Sequence, residues 1–501
     1  MERAPRAPRA PQHHEATSPS VGSRKLARAT TALALTLASL APSCGGGGPE
    51  RPNVLLITLD TTRPDRMSVY GGGASVPTIE RIAREGARFE RCVSTAGITP
   101  MSHASILSGL NNYSHGLRVF HSDRAGFQLP DAVETLPEKL RAAGYRTGAR
   151  VSSYPVSEFY RLDQGFDDFS TGGVAADDLD LSHQQKHQTQ FDQSGVTSTQ
   201  RRGDRTVDEA LSWLEEGGSD PWMLWVHMFD VHDTSLVPPA EFAAERGITY
   251  PSTDEPIRGM ASHQWRDRMY DPEMEWMDAQ LARIANHLDS TGEWDNTIVV
   301  VTADHGQGLL DGLERHGWVK HRLLYDWSIR VPLLVRAPGM PGEQVISKQV
   351  RTIDIVPTLL QLCDLPDSPV LEGASVVDLW NGGQEAQPRV AYADALNLYD
   401  DHSPRAKNLP PGQYDNLYAA TDGEWKFVWH ETKPENSELY HLTEDPGEMN
   451  NLYATHKDHE ATLRLKKWLE ARNPQDVRPQ EETSGPSGAA LNQLGYGGDD
   501  E

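Results

Sequence analysis

Three unbroken apolar runs stand out along the chain, and each ends in an acid or an imidazole. Val54 to Leu59 runs into Asp60, and Ile298 to Val301 leads to Asp304 and His305. The third run lies within "DPWMLWVHMFDVH" and closes near Asp230 and His232. Runs of this length without polar alternation predict strands buried on both faces, as in a mostly parallel sheet. Between them the period becomes helical, in "TLPEKLRAAG" and in "EMEWMDAQLARIANHLDSTG", which Gly292 stops. Strands alternating with helices predict an α/β doubly wound domain. Such sheets collect their ligands just past the strand ends.

Two stretches break this pattern. Residues 171–205 are polar, rich in Gln, Ser and Asp, and without periodicity, which predicts a long surface loop. His183 and His187 stand four apart in it, and a solvated loop is favoured over a metal pair because no apolar support accompanies them. From about residue 385 the text changes to short aromatic-rich runs, "NLYAATDGEWKFVWH" and "SELYHL", separated by turn residues. These predict a smaller antiparallel sheet packed on the main domain. The expected organisation is therefore 1–50 leader and linker, 51–384 main domain, and 385–501 smaller domain and tail.

The leader reads as an export signal. "SRKLARAT" supplies positive charge, "TALALTLASLA" an apolar core too short to span a bilayer, and "PSCGGGGPE" small residues and a flexible run. Cys44 is a candidate lipid-modified anchor, imperfect because Pro42 precedes it, with a simply cleaved signal as the alternative. The remaining cysteines, Cys92 and Cys363, are too few and too far apart for a disulfide framework or a metal cluster, and are expected to be buried apolar residues. The net charge of −25 argues against a nucleic-acid partner, since phosphates are repelled. It leaves room for a small anionic substrate at a local cationic site.

Asp60, Asp304 and His305 are the first chemical candidates. Two carboxylates and an imidazole from the ends of two central strands can hold one divalent cation. The run "GITPMSHASILSG", Gly97 to Gly109, raises a second question: which hydroxyl in it does chemistry. Thr99 before Pro100 reads equally well as a helix-capping hydroxyl or as a nucleophile.

The ordered motifs "RPNVLLITLDTTRPDRMSVYG", "TPMSHASILSGL", "WVHMFDVH", "NTIVVVTADHGQG", "HRLLYDWSIRVPLLVRAPG" and "ELYHLTEDPGEMNNLY" resemble the sulfatase family of the alkaline-phosphatase-like superfamily, from about residue 51 to 455. "LNQLGYG" also looks like that family's C-terminal turn. The resemblance implies a sandwich with a large mostly parallel sheet and a smaller C-terminal α+β domain. It implies one divalent metal, Ca²⁺ in the family, held by Asp60, Asp304 and His305, and a nucleophile at Thr99. The histidine ligand also admits Zn²⁺ or Mn²⁺. The family's nucleophile opens a Cys-x-Pro-Ser-Arg motif and becomes formylglycine; here the five residues are Thr99, Pro100, Met101, Ser102 and His103. No formylglycine is expected, because the methyl on the threonine Cβ would give a ketone rather than an aldehyde. Direct attack by a metal-activated threonine remains open, which pulls the reading toward phosphate or phosphonate esters.

Other positions depart from the family as well. His103 stands in place of its Arg, His321 in place of its substrate-binding Lys with Lys320 alongside, and Thr61 in place of a second aspartate. An imidazole charges only near neutrality, so a site relying on His103 and His321 is expected to lose anion affinity above about pH 7. His232 matches a histidine that binds substrate or protonates the leaving group, and His316 falls at a family-like position. Arg63 is a secondary candidate for the anion, with a salt bridge as its alternative; His115 is expected in a structural turn. The expectation is an exported, metal-dependent hydrolase of sulfate-type esters, periplasmic or in the cell envelope, acting on a small anionic ester or a sulfated or phosphorylated glycan. The alternatives are hydrolysis of phosphodiesters, phosphomonoesters or phosphonates, phosphotransfer, and non-catalytic capture of sulfated glycans.

Overall fold

The computed structural model describes residues 51–122, 124–173, 196–197, 199–218, 220–232, 236–251, 257–400 and 408–479. The leader with Cys44, the pair His183 and His187, and the closing "LNQLGYG" lie outside them. Each of the three apolar runs is a strand: β1 (Asn53–Leu59), β5 (Trp222–Met228) and β6 (Thr297–Thr302), all fully buried. Between β1 and β5 come β2 (Ala87–Val93), β3 (Arg146–Val151) and β4 (Asp168–Ser170). After β6 come β7 (Arg330–Arg336), β8 (Gln344–Ile346) and β9 (Val350–Arg351). These nine form one sheet of order β4-β3-β5-β1-β6-β7-β2-β8, with β9 also paired to β2. Among the described residues, only the β7 pairings of this sheet are antiparallel.

The two-sided burial follows from strand alternation. Val54 and Leu56 of β1 enter one core with Trp225 and Val300. Leu55, Ile57 and Leu59 enter the other with Leu224 and Val299. The second core is closed by the helix Met260–Thr291, whose Met274, Met277, Leu281 and Leu288 pack into it and which Gly292 ends in the left-handed conformation at φ 76°. Gly292 stops the helix as its sequence suggests, but the helix begins well before the quoted run and continues through Pro272.

A second sheet is antiparallel: β10 (Ala391–Leu396), β11 (Asn416–Thr421), β12 (Trp425–His430) and β13 (Glu438–His441). One face packs on Leu323, Leu324 and Trp327, and the other on the helix Glu460–Glu470 through Leu465 and Leu469. Asp394 of β10 ties it to the large sheet. It bridges Ala96, accepts from Asn112 Nδ2 at 2.6 Å and is paired with Arg118 at 2.7 Å.

The end of the 171–205 stretch corrects the surface-loop expectation. Gln200, Arg201 and Arg202 are buried, and Arg201 donates to Val151 O at 3.0 Å, so the chain is fastened to β3 before the helix Gly203–Glu215 begins. Composition does not reveal this, because an arginine's aliphatic stem and planar head pack well in a polar stretch when carbonyls meet them. Cys92 and Cys363 are free and buried, as expected of small apolar residues.

Candidate active site

Asp60 follows the carboxyl end of β1, Asp304 and His305 follow β6, and Asp230 to His232 form a short turn beyond β5. Because these three strands are adjacent and parallel, their ends open on one side of the sheet. Thr99 joins them from the first turn of the helix Thr99–Ser108, which is buried along its whole length. Its hydroxyl lies 3.2 Å from His305 Nε2. The helix N-terminus points its partial positive charge at that hydroxyl.

The carboxylates are held asymmetrically. Asp304 Oδ1 accepts the amides of Thr61 at 2.9 Å and His305 at 2.7 Å, while Oδ2 has no hydrogen-bond partner. Asp60 Oδ2 faces His227 Nε2 at 3.2 Å, while Oδ1 is likewise without a partner. Thr61 adopts φ 50°, a conformation disfavoured for a β-branched residue, which turns its N–H toward Asp304. Tyr270 fixes the turn by donating its hydroxyl to Thr61 O. Asp60, Asp304 and His305 are all 0% exposed, and their ligand atoms lie within 4.8 Å of one another. Burial and then the facing charge of Asp304 drive the Asp60 carboxyl well above the usual range. Two buried carboxylates each keep an oxygen unpaired beside a histidine nitrogen, which is the donor set a divalent cation satisfies. The His305 ring agrees, since Nδ1–H donates to Gly306 O at 2.9 Å and leaves the Nε2 lone pair facing inward.

Three imidazoles form a row leading outward. His305 and His321 have ring centroids 4.8 Å apart, and His321 and His232 are 6.0 Å apart. His232 is half-buried and stacks on Phe229 at 4.1 Å. His321 is half-buried, its Nδ1 has no partner, and Trp318 Nε1–H holds its carbonyl at 2.7 Å. Lys320 lies close enough to add positive charge to this end of the row.

The structure assigns different work to three other expected residues. His103 Nδ1–H donates to Thr99 O at 2.9 Å, and Nε2 accepts from Thr58 Oγ1 at 3.1 Å. Thr58 in turn accepts from the Trp225 indole at 2.9 Å. With the Trp225 indole donating to Thr58, the Thr58 hydroxyl can in turn donate to His103 Nε2, which is the arrangement a neutral imidazole takes. His103 therefore positions the Thr99 backbone and has no nitrogen left for an anion. Burial lowers both His103 and His321, which works against the charge expected of them near neutrality. Arg63 is fastened to Asp65 at 2.6 Å and Asp311 at 2.7 Å, the salt-bridge alternative, leaving its guanidinium no free edge for substrate. His316 donates to Glu448 O at 3.1 Å, accepts from Trp327 Nε1 at 2.9 Å and stacks on Tyr325 at 3.6 Å, so it braces the small sheet. His115 sits in the turn expected of it, bonded to Ser105 and Asn112.

Sequence reasoning passed over Thr58, Trp225 and His227. The available signal was His227 itself, a polar residue inside the apolar run of β5 that must find a partner when buried.

Comparison with known proteins places this arrangement. Residues 52–365 match the family described as Sulfatase, and residues 314–475 match N-sulphoglucosamine sulphohydrolase, C-terminal. An N-acetylglucosamine-6-O-sulfatase of Bacteroides thetaiotaomicron is 24% identical, with 85% of this chain and 87% of that protein covered. A structure solved with its substrate D-glucosamine-2-N,6-O-disulfate superposes with TM-score 0.65 at 22% identity, covering 87% of this chain and all of the other. The phosphonate monoester hydrolase of Agrobacterium radiobacter superposes with TM-score 0.63 at 20% identity, covering 85% and 96%. The family match spans well over half of the chain and takes in Asp60, Thr99, Asp304 and His305: the chain belongs to the sulfatase family of ester hydrolases.

Proposed function

We propose that this protein is an exported, metal-dependent hydrolase that uses Thr99 to cleave a sulfate-type ester on a small anionic substrate or a sulfated glycan. The observation that carries the reading is the Thr99 hydroxyl, 3.2 Å from His305 Nε2 within the buried carboxylate cluster. Relatives named for N-acetylglucosamine-6-O-sulfate and ulvan support a sulfated saccharide. The leader motif supports export, with Cys44 as the anchoring residue.

Asp60, Asp304, His305 and Thr99 would hold one divalent cation, with Ca²⁺ suited to the carboxylates and Zn²⁺ or Mn²⁺ to the imidazole. When bound, that cation supplies the charge that lowers the hydroxyl's pKa and polarises the ester. With its proton first released to solvent, Thr99 Oγ1 attacks as the alkoxide and forms the bond to sulfur as the bond from sulfur to the leaving oxygen breaks; the same alkoxide is regenerated when water cleaves the threonyl ester. His232, at the outer end of the imidazole row, delivers a proton to that oxygen. The same imidazole, now neutral, takes a proton from the water that cleaves the threonyl ester. His321 Nδ1 and Lys320 contact the non-bridging oxygens, and His103 keeps the Thr99 backbone in place.

A second reading, hydrolysis of phosphate or phosphonate esters, is favoured by Thr99 itself, whose Cβ methyl rules out the aldehyde route. The test is a panel of nitrophenyl sulfate, nitrophenyl phosphate, bis-nitrophenyl phosphate and a phenylphosphonate ester under Ca²⁺, Mg²⁺, Mn²⁺ and Zn²⁺. Sulfate turnover supports the first reading, and turnover confined to phosphorus esters supports the second. Inertness toward all four, with a Thr99→Cys variant active only after conversion to formylglycine, points instead to a binder of sulfated glycans.

A further inference from the structure

His227 lies within β5, one strand away from Asp60, and both side chains are fully enclosed. Its hydrogen bonds fix its tautomer. Nδ1 accepts the backbone N–H of Ser152 at 3.3 Å, and a backbone amide can only donate. Nε2 therefore carries the ring proton, and at 3.2 Å it points at Asp60 Oδ2. Ser152 is itself immobilised, because its hydroxyl donates to His227 O at 2.8 Å and lies 2.6 Å from Thr206 Oγ1. The His103 ring packs edge-on at 5.0 Å, which prevents the imidazole from swinging away. The outcome at Asp60 is specific: Oδ2 is occupied by a proton donor, and Oδ1 has no hydrogen-bond partner among the described residues.

We infer that His227 is a positioning residue, donating Nε2–H to Asp60 Oδ2 so that Oδ1 is presented to the divalent cation as a single oriented ligand. The inference rests on the reading that Asp60, Asp304 and His305 hold a cation. The physical need is plain. A carboxylate free to rotate has several rotamers to lose on binding, and the cluster offers only two carboxylates. A neutral donor on the far oxygen removes that freedom and stabilises the ionised form without adding charge beside the cation.

The test is titration of the metal-free full chain with Mn²⁺ by isothermal calorimetry, with thermal melting of each metal-free variant alongside. Wild type is expected to bind one equivalent and Asp60→Asn to lose it; a wild type that binds no Mn²⁺ overturns the cation reading itself. His227→Leu keeps the packing but lacks the donor, and is expected to weaken binding about 10- to 100-fold. His227→Gln returns an N–H near the original Nε2 and is expected to bind within about 3-fold of wild type. Should the Leu variant not fold, His227→Asn, whose amide is too short to reach Oδ2, is expected to show the same weakening. Wild-type affinity in the Leu or Asn variant, with Asp60→Asn still defective, overturns the positioning role. A Gln variant as weak as Leu overturns it equally, since packing rather than the hydrogen bond would then be responsible.

Discussion

The hydroxyl of Thr99 stands 3.2 Å from Nε2 of His305, and the Gly306 carbonyl leaves that nitrogen as an acceptor. Thr99 is buried at the first position of its helix, so its hydroxyl needs a partner, and the one it meets belongs to the candidate metal cluster. Replacement by alanine is therefore expected to lower kcat/KM by about 10³-fold or more on whichever ester the panel identifies. The melting temperature should stay close to wild type. Thr99→Ser, which keeps the hydroxyl, should retain most of the activity. An alanine variant with wild-type turnover sinks the nucleophile assignment.

The chain from Trp225 through Thr58 to His103 predicts a stability effect at a residue that touches no substrate. Thr58→Val preserves shape but strands the Trp225 N–H and the His103 Nε2 in a site without solvent. Unsatisfied buried groups cost about 1–3 kcal/mol, which urea unfolding should register as a lower midpoint at an unchanged slope. An unchanged midpoint would mean the two groups find other partners.

The contrast between Asp60 and His103 shows what a linear text can carry. The apolar runs announce β1, β5 and β6 because burial on both faces leaves no polar alternation, and the acids just past them mark the ligand end of the sheet. That reasoning finds Asp60, Asp304 and His305 without coordinates. The role of His103 depends on Thr58 and Trp225, which approach it from separate strands, and no spacing encodes which atom of an imidazole meets which neighbour. Arg63 teaches the same lesson: Asp311, which captures it, is 248 residues away. His227 stands in the open text, but a single histidine in an apolar run reads as a strand interior until its partner is known.

Asp278 gives a pH-dependent test away from the active site. From the helix Met260–Thr291 it accepts the amides of Thr78 at 3.0 Å and Ile79 at 2.9 Å, capping the helix Pro77–Glu85. Burial pushes its carboxyl up to about 6. The native state therefore keeps this proton to higher pH than the unfolded chain, whose aspartates titrate near about 3.9. Its contribution is greatest below about pH 4 and is lost as pH rises through about 6, a change of about 3 kcal/mol. Unfolding free energies of wild type minus Asp278→Asn should fall between pH 4 and 6 and be level above 7. A difference that rises over that interval contradicts the shift.

Chelation should separate the cation from the fold. With two buried carboxylates facing each other, removing the ion restores their repulsion, so EDTA should abolish turnover and lower the melting temperature. At an ion concentration of about 100 times Kd the expected loss is near 2.7 kcal/mol. Asp60→Asn relieves the repulsion, so its melting temperature should be insensitive to chelator. Identical chelator responses in the two proteins would place the stabilising ion elsewhere.

The small sheet should matter to catalysis through one buried lysine. Lys426 of β12 is 0% exposed, donates to Leu324 O at 2.9 Å and to Asp326 at 2.8 Å, and pairs with Glu448. Arg91 completes the network by binding Asp326 at 2.6 Å. This network clamps the segment that carries Lys320 and His321, whose other end is held by Trp318. Lys426→Met removes one cation and leaves Asp326 and Glu448 with a single arginine between them, a change expected to cost about 3–5 kcal/mol. Glu448 already sits up at about 7, through burial above all, so without the lysine it should take a proton, and the Leu324 carbonyl loses its Lys426 donor. The folded fraction of the variant should then show a raised KM, because His321 and Lys320 are no longer held toward the anion, while Mn²⁺ affinity at Asp60, Asp304 and His305 stays as in wild type. A variant that loses stability with KM unchanged would confine the network to holding the two sheets together.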